Sequence, residues 1–250
     1  MTLNPQFTLI TSTLNSAVTL ERCLCSVESQ VNASFEHLIA DGASSDDTLA
    51  IVDSFAKQYA LRLVCSSQDT GLYQAWNRAI DEARGEWILF LGSDDYLVSH
   101  DVLSRVAQIL VRIPSLNRLS FLYGDTASPR VRPCWAKYQP LIWLNRLRGV
   151  TEFPNSVLIN TDVFRQGHRF DESYRICADH KFFAQNHLFD RGAYIPITMI
   201  SFQDGGISSN SDFNRVHYLE RRRLLSDLGL SRPWYTEWYY WLRSHQLHTF

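Results

Sequence analysis

An α/β fold with a mixed sheet, mainly parallel in its N-terminal half, follows from three observations. Between Phe7 and Leu110, short β-favouring runs alternate four times with stretches of helical period. One of those runs, Trp87 to Leu91, is apolar throughout, as expected of a strand buried on both faces. Beyond that point the alternation stops, so the second half does not extend the same parallel ladder.

Each element has a local reason. Phe7 to Thr11 favours strand and breaks at Asn15-Ser16, a helix start, after which Leu20, Leu24 and Val27 recur at helical spacing. Phe35 to Ala40 is a second strand, stopped by Asp41-Gly42. Asp47 or Thr48 opens a helix with Val52, Phe55 and Tyr59 on one face. Leu61 to Cys65 is the third strand, and Leu72, Trp76, Ala79, Ile80 and Ala83 mark the helix after it. Trp87 to Leu91 leads to a helix from Asp101 carrying Leu103, Val106, Ile109 and Leu110. In the second half, Ser120 to Tyr123 and Val157 to Ile159 read as strands, Thr161 to Gln166 and Ala178 to Leu188 as helices. Tyr194 to Phe202 reads as an edge strand, because Pro196 has no ladder donor. A turn at Gly205-Gly206 precedes a basic helix from about Asp212 to Leu228.

Composition narrows the function classes. With 45% hydrophobic and 20% charged residues the 250-residue chain carries a core, and its length suits one large domain. Net charge is −2, which gives no general attraction to nucleic acid. No apolar run is long enough to span a bilayer, and Met1 to Gln6 lacks the layout of a secretory signal. Five scattered cysteines (Cys23, Cys25, Cys65, Cys134, Cys177) form no metal-ligand or disulfide pattern. A cytoplasmic protein is expected.

The missing motifs exclude more. No G-x-G-x-x-G follows the first strand, and there is no Walker A, G-x-S-x-G or H-E-x-x-H sequence. What remains is carboxylate chemistry. Ligands of parallel sheets bind beyond the carboxyl ends of the strands. There lie Thr13-Leu14-Asn15, Asp41-Gly42-Ala43-Ser44, Gln68-Asp69 and Gly92-Ser93-Asp94-Asp95. The strand running into Asp94-Asp95 makes a hard oxygen site suited to magnesium or manganese held together with substrate phosphates. On an extended chain the two side chains would point to opposite sides, one toward the ion and one toward a sugar hydroxyl. Asp46 and Asp47 are accounted for by a helix N-terminus, whereas Asp41 is not, and its carboxylate can accept from a nucleobase N–H.

I-T-S-T-L-N-S, I-A-D-G-A-S-S-D-D-T, D-T-G-L-Y-Q-A-W-N-R-A-I and G-E-W-I-L-F-L-G-S-D-D-Y-L, in this order and spacing, resemble family 2 glycosyltransferases of the GT-A fold. F-D-E-S-Y-R-I-C-A-D-H-K-F-F and F-Q-D-G-G-I-S are similar to the acceptor-side segments of that family. The resemblance covers about residues 5 to 210 and is nearest to bacterial exopolysaccharide or colanic-acid-type enzymes. It implies a Rossmann-like sheet that binds a nucleotide-diphosphate sugar. It also implies Thr13 and Asp41 against the base, Asp94 near ribose or donor sugar, Asp95 on a divalent cation (Mn2+ or Mg2+), and Asp179 as catalytic base. Asp69 precedes the third helix and is a further donor contact. Two positions depart from the family pattern: Leu14 stands where many relatives carry tyrosine, and Ser93 replaces the first aspartate of D-x-D.

The expectation is thus a metal-dependent inverting glycosyltransferase, UDP-linked donor first, acting on a glycan or lipid-linked acceptor in polysaccharide biosynthesis. A sugar nucleotidyltransferase and a non-catalytic nucleotide-sugar-binding module are the alternatives. The former should carry a Gly-rich, Lys-containing loop after the first strand, which Ser12 to Ala17 does not supply. Residues 1–125 would form the donor part, 126–210 the acceptor part and 211–250 a helical, aromatic and basic tail. Arg215, Arg221, Arg222 and Arg223 followed by P-W-Y-T-E-W-Y-Y-W suit peripheral contact with the cytoplasmic face of the inner membrane, an oligomer interface, or packing back on the domain.

Overall fold

The computed structural model describes residues 4–113, 116–127, 156–203 and 214–229. Four parallel strands lead: β1 (Phe7–Thr13), β2 (Phe35–Asp41), β3 (Leu61–Ser66) and β4 (Trp87–Phe90). They are joined by α1 (Ala17–Glu28), α2 (Thr48–Phe55) and α3 (Leu72–Glu82). A short β5 (Tyr96–Leu97), α4 (Val102–Arg112), β6 (Phe121–Ala127), β7 (Val157–Asn160) and α5 (Thr161–Arg165) follow. The described elements end with α6 (Ala178–Gln185), β8 (Gly192–Ser201) and α7 (Asn214–Asp227). The described strands join one sheet in the order β3-β2-β1-β4-β7-β6-β8-β5. β7 runs antiparallel to β4 and β6, and β8 runs parallel to β6.

Alternation along the strands divides the core. Leu9, Ile39 and Leu89 face a layer built from Leu20, Leu24 and Val27 of α1, Val52 of α2, and Val106 and Leu110 of α4. Their neighbours Ile10, Leu38 and Ile88 face the other layer, with Ala79 of α3, Phe164 of α5, Phe182 of α6 and Leu224 of α7. Helices on both faces of a largely parallel sheet make a three-layer α/β/α domain. Trp76 belongs to this second layer, 4.3 Å from Phe90 and 5.4 Å from Phe170 between ring centroids. α7 is bound into the same layer, since Tyr174 donates to Asp227 at 2.8 Å and Lys181 reaches Asp227 at 2.8 Å. The chain therefore packs back on the domain at least through α7. The aromatic segment after it, the turn at Gly205-Gly206 and Cys134 lie outside the described residues.

Two expectations change. β8 is not the outermost strand, because β5 pairs with it through Tyr96↔Ser201 and Leu97↔Ile200. Pro196 is accommodated by a break in register instead: Tyr123↔Tyr194 is followed by Asp125↔Thr198, so the proline falls in a bulge. The sixth strand also continues past Gly124-Asp125 to Ala127.

Candidate active site

The carboxyl ends of β1, β2 and β3 are in register, which sets Thr13 beside Asp41 and Asp41 beside Ser66. Asp41 is 1% exposed and fully engaged. Its Oδ1 accepts from Thr13 Oγ1 at 2.8 Å and Ser44 Oγ at 2.5 Å, and its Oδ2 from Ser44 N and Ser66 Oγ, both at 2.9 Å. Burial alone would raise its pKa, but these hydrogen bonds from Ser44, Thr13 and Ser66 outweigh it and hold the carboxyl below 3.8. Ala43 takes a left-handed φ of 67° so that Ser44 can turn both its donors inward. A base N–H can reach Asp41 only if one of the serine or threonine hydroxyls rotates away.

The adjoining loops are stitched together by Asp46 and Asn15. Asp46 accepts from Ala17 N at the start of α1 and from Thr48 N at the start of α2, both at 3.1 Å. Asn15 Oδ1 accepts from Ser45 N at 2.9 Å. Leu14 stays 60% exposed beside this loop. Asp69 lies across Gly42, its Oδ2 3.0 Å from the point at which a Gly42 side chain would begin. Burial raises the Asp69 pKa and the Asp41 charge adds to the rise, while the Gly71 N–H and Arg78 oppose it. Arg78 donates to Ser67 Oγ at 2.8 Å at this same edge.

Beyond β4 the chain is a turn, not an extended strand: Asp95 N donates to Gly92 O at 3.1 Å. The expectation that Asp94 and Asp95 diverge fails for that reason. Asp95 Oδ2 and Asp94 Oδ1 lie 2.7 and 2.8 Å from the position a Gly92 Cβ would occupy, so both carboxylates close over one point that only glycine leaves open. Asp95 is 6% exposed, and its Oδ1 accepts from Gln203 N at 2.9 Å. Burial pushes its pKa up to about 7; the Gln203 N–H and Arg22 lower it, the charge of Asp94 raises it. Arg22 of α1 donates to Asp94 O at 2.8 Å. Ser93, in the place of the first aspartate of D-x-D, bonds Ser16 at 3.0 Å and ties this turn to the β1 loop.

Among the described residues no cluster of three or more His, Cys, Asp or Glu forms a metal cage. Two converging hard carboxylates nevertheless suit a cation that takes its remaining ligands from phosphates and water.

Asp179 sits in the first turn of α6, one residue beyond the helix start at Ala178, with Cys177 as N-cap. Its side chain is 33% exposed, and Oδ1 accepts from His180 N at 2.8 Å and from Tyr73 Oη at 3.3 Å. His180 Nδ1 lies 3.3 Å from the same oxygen. Tyr73, 2% exposed in the first turn of α3, also donates to Ile176 O. The segment before α6 is held from its other side by Glu220 of α7, which accepts from Arg175 N, Ile176 N and Cys177 N at 2.5, 2.9 and 3.0 Å. Sequence reading missed Tyr73, Gln203 and Glu220. None of the three left a signal in the sequence, because each acts on partners far along the chain.

The structure thus brings Thr13, Asp41 and Asp69 to one corner and Asp94 and Asp95 to the next. Asp179 is tied to α3, the helix that follows Asp69, by its bond from Tyr73 at 3.3 Å. Residues 8–139 match the family model described as Glycosyl transferase family 2. The chain belongs to glycosyltransferase family 2. A PGL/p-HBAD biosynthesis glycosyltransferase of Mycobacterium bovis is 32% identical over 232 residues, covering 90% of this chain and 87% of that protein. The structure of Staphylococcus aureus TarS 1-349 in complex with UDP-GlcNAc superposes with a TM-score of 0.69 at 21% identity, over 89% of this chain and 71% of that one. The mannosyltransferase PcManGT of Pyrobaculum calidifontis, in complex with GDP-Man and Mn2+, gives 0.68 at 16% identity, over 98% and 70%. The family 2 enzyme therefore has the GT-A fold, with its candidate site at the carboxyl edge of the sheet. Among the described residues no helix is long and apolar enough to cross a membrane.

Proposed function

We propose that this glycosyltransferase moves a sugar from a nucleotide-diphosphate sugar, UDP-linked first, to an acceptor hydroxyl with inversion at the anomeric carbon. The observation that carries the proposal is the convergence of Asp94 and Asp95 over Gly92, beside the corner of Thr13, Asp41 and Asp69. The ligands bound in the two structural neighbours, UDP-GlcNAc in one and GDP-Man with Mn2+ in the other, support the same reading. Asp95, with Asp94, would hold Mn2+ or Mg2+, and Thr13, Asp41 and Asp69 would line the nucleoside side. When bound, the cation supplies Lewis-acid stabilisation of the departing diphosphate.

Asp179 takes the proton of the acceptor hydroxyl as that oxygen attacks the anomeric carbon. The bond from that carbon to the phosphate oxygen breaks, and its electron pair leaves with the diphosphate. Attack on the face opposite the leaving group inverts the configuration. The acceptor is a hydroxyl on a glycan or a lipid-linked sugar, in polysaccharide synthesis. Residues 1–125 serve the donor and 126–210 the acceptor. Arg215, Leu219 and Arg222, exposed on α7, together with the aromatic chain beyond it, support peripheral contact with an anionic bilayer.

The test separates binding from turnover. Asp179→Asn should lower sugar transfer by about 100-fold or more while UDP with Mn2+ still raises Tm as in the parent protein. Normal transfer in that variant removes the base.

A further inference from the structure

The segment 175–177 is gripped from two sides by groups that donor binding and proton transfer do not account for. On one side the Glu220 carboxylate, on a side chain from a residue 9% exposed, accepts from three successive backbone amides. Three amides converging on one buried carboxylate fix the backbone dihedrals of Arg175, Ile176 and Cys177, the residues that aim the first turn of α6. On the other side the Tyr73 hydroxyl donates to the carbonyl of the middle residue, Ile176, and reaches Asp179 Oδ1 at 3.3 Å. The two grips come from α7 and α3, helices far apart in sequence. Asp179 is itself two residues past the last clamped amide.

We propose that Glu220 and Tyr73 are positioning residues that set where the Asp179 carboxylate points, so that the efficiency of proton removal depends on α7. The proposal rests on the reading of Asp179 as base. It predicts effects on turnover that are separable from donor binding, because neither residue belongs to the Asp41 or Asp94-Asp95 corners. A displacement of about 1 Å at a reacting group costs on the order of 100-fold in rate.

Glu220→Gln keeps the length of the side chain, but its amide nitrogen must face at least one of the three N–H donors, so that bond is lost. Tyr73→Phe removes the opposite grip, leaves Glu220 in place, and decides the matter should Glu220→Gln not fold. The probe is UDP release from UDP-N-acetylglucosamine and UDP-glucose with Mn2+, beside calorimetric binding of UDP. Both variants should lower kcat about 10- to 100-fold. The donor KM and the Kd for UDP should stay within about twofold, and the acid limb of the pH–rate profile should move. Asp179→Asn combined with Glu220→Gln should lose no more than Asp179→Asn alone.

A merely structural role lowers Tm and leaves kcat and the pH limb at parent values well below Tm; that result in both single variants overturns the proposal. Equal losses of kcat and UDP affinity overturn it as well. Normal turnover in Asp179→Asn would instead remove the base reading, and the positioning role with it. Loss in Asp179→Asn beside normal turnover in Glu220→Gln and Tyr73→Phe overturns the positioning role alone.

Discussion

Replacing Asp95 by Asn should make the protein more stable and blind to the cation. Burial pushes the Asp95 carboxyl up to about 7 in the fold, from an ordinary value of 3.8. Because the folded-state pKa is raised, the native state holds the proton more tightly than the unfolded chain. Stability contributed by this group is full below 3.8, falls as pH rises from 3.8 to about 7, and stays low above that. At about 1.4 kcal/mol per pH step, the interval sets a ceiling of about 4 kcal/mol on the cost of keeping Asp95 ionised at pH 8. Asparagine keeps the acceptor for Gln203 N and adds a donor next to Asp94, so little else is lost. In chelator, the Tm of Asp95→Asn should match the parent near pH 4. By pH 8 it should exceed the parent by several degrees, at roughly 2–4 °C per kcal/mol for a chain of this size. With UDP and Mn2+ added the order should reverse, since only the parent responds. Thermal unfolding across pH, with and without metal, measures all of this. A Tm difference that does not vary with pH, or a variant still stabilised by Mn2+ and UDP together, would refute the reasoning.

Three further outcomes are expected. Gly92→Ala puts a methyl 2.7 and 2.8 Å from Asp95 Oδ2 and Asp94 Oδ1 and forces them apart. The fold should lose about 1–3 kcal/mol in urea titration, and the Mn2+-dependent Tm response to UDP should vanish. Asp41→Asn turns an amide donor onto hydroxyls that now donate to Asp41, costing about 1–3 kcal/mol and weakening UDP binding by calorimetry. Phe182→Ala opens the cluster where Phe182 meets Phe170 at 4.6 Å and Phe164 at 5.3 Å, and should cost about 3–5 kcal/mol in the same titration.

The parallel half of the sheet was legible in the sequence because its signals are local. Period changes from 2 to 3.6 at Asn15-Ser16, Asp47-Thr48 and Leu72 stand within a residue or so of the observed helix starts. β5 was invisible, since two residues, Tyr96 and Leu97, carry no period at all. The inner position of β8 was missed because Pro196 signals the lack of a ladder bond without telling an edge from a bulge. The aspartates at strand ends were legible as candidates from the rule that ligands gather there. Their convergence was not, because it depends on the turn closed by Asp95 N and Gly92 O. Glu220 and Gln203 contact backbone or carboxylate partners 43 to 108 residues away, and such contacts leave no pattern in a short window.

The bond from Gln203 N to Asp95 has a consequence for how the enzyme comes into being. Asp95 and the β5 strand beside it depend on the end of β8, which is made more than a hundred residues later. A chain emerging from a ribosome can therefore complete the β1 to β4 unit early, yet its candidate cation site lacks a wall until residue 203 has arrived. Closure of that candidate site is in this way tied to synthesis of β8 and the residues just beyond it, not to the β1 to β4 unit that carries the aspartates.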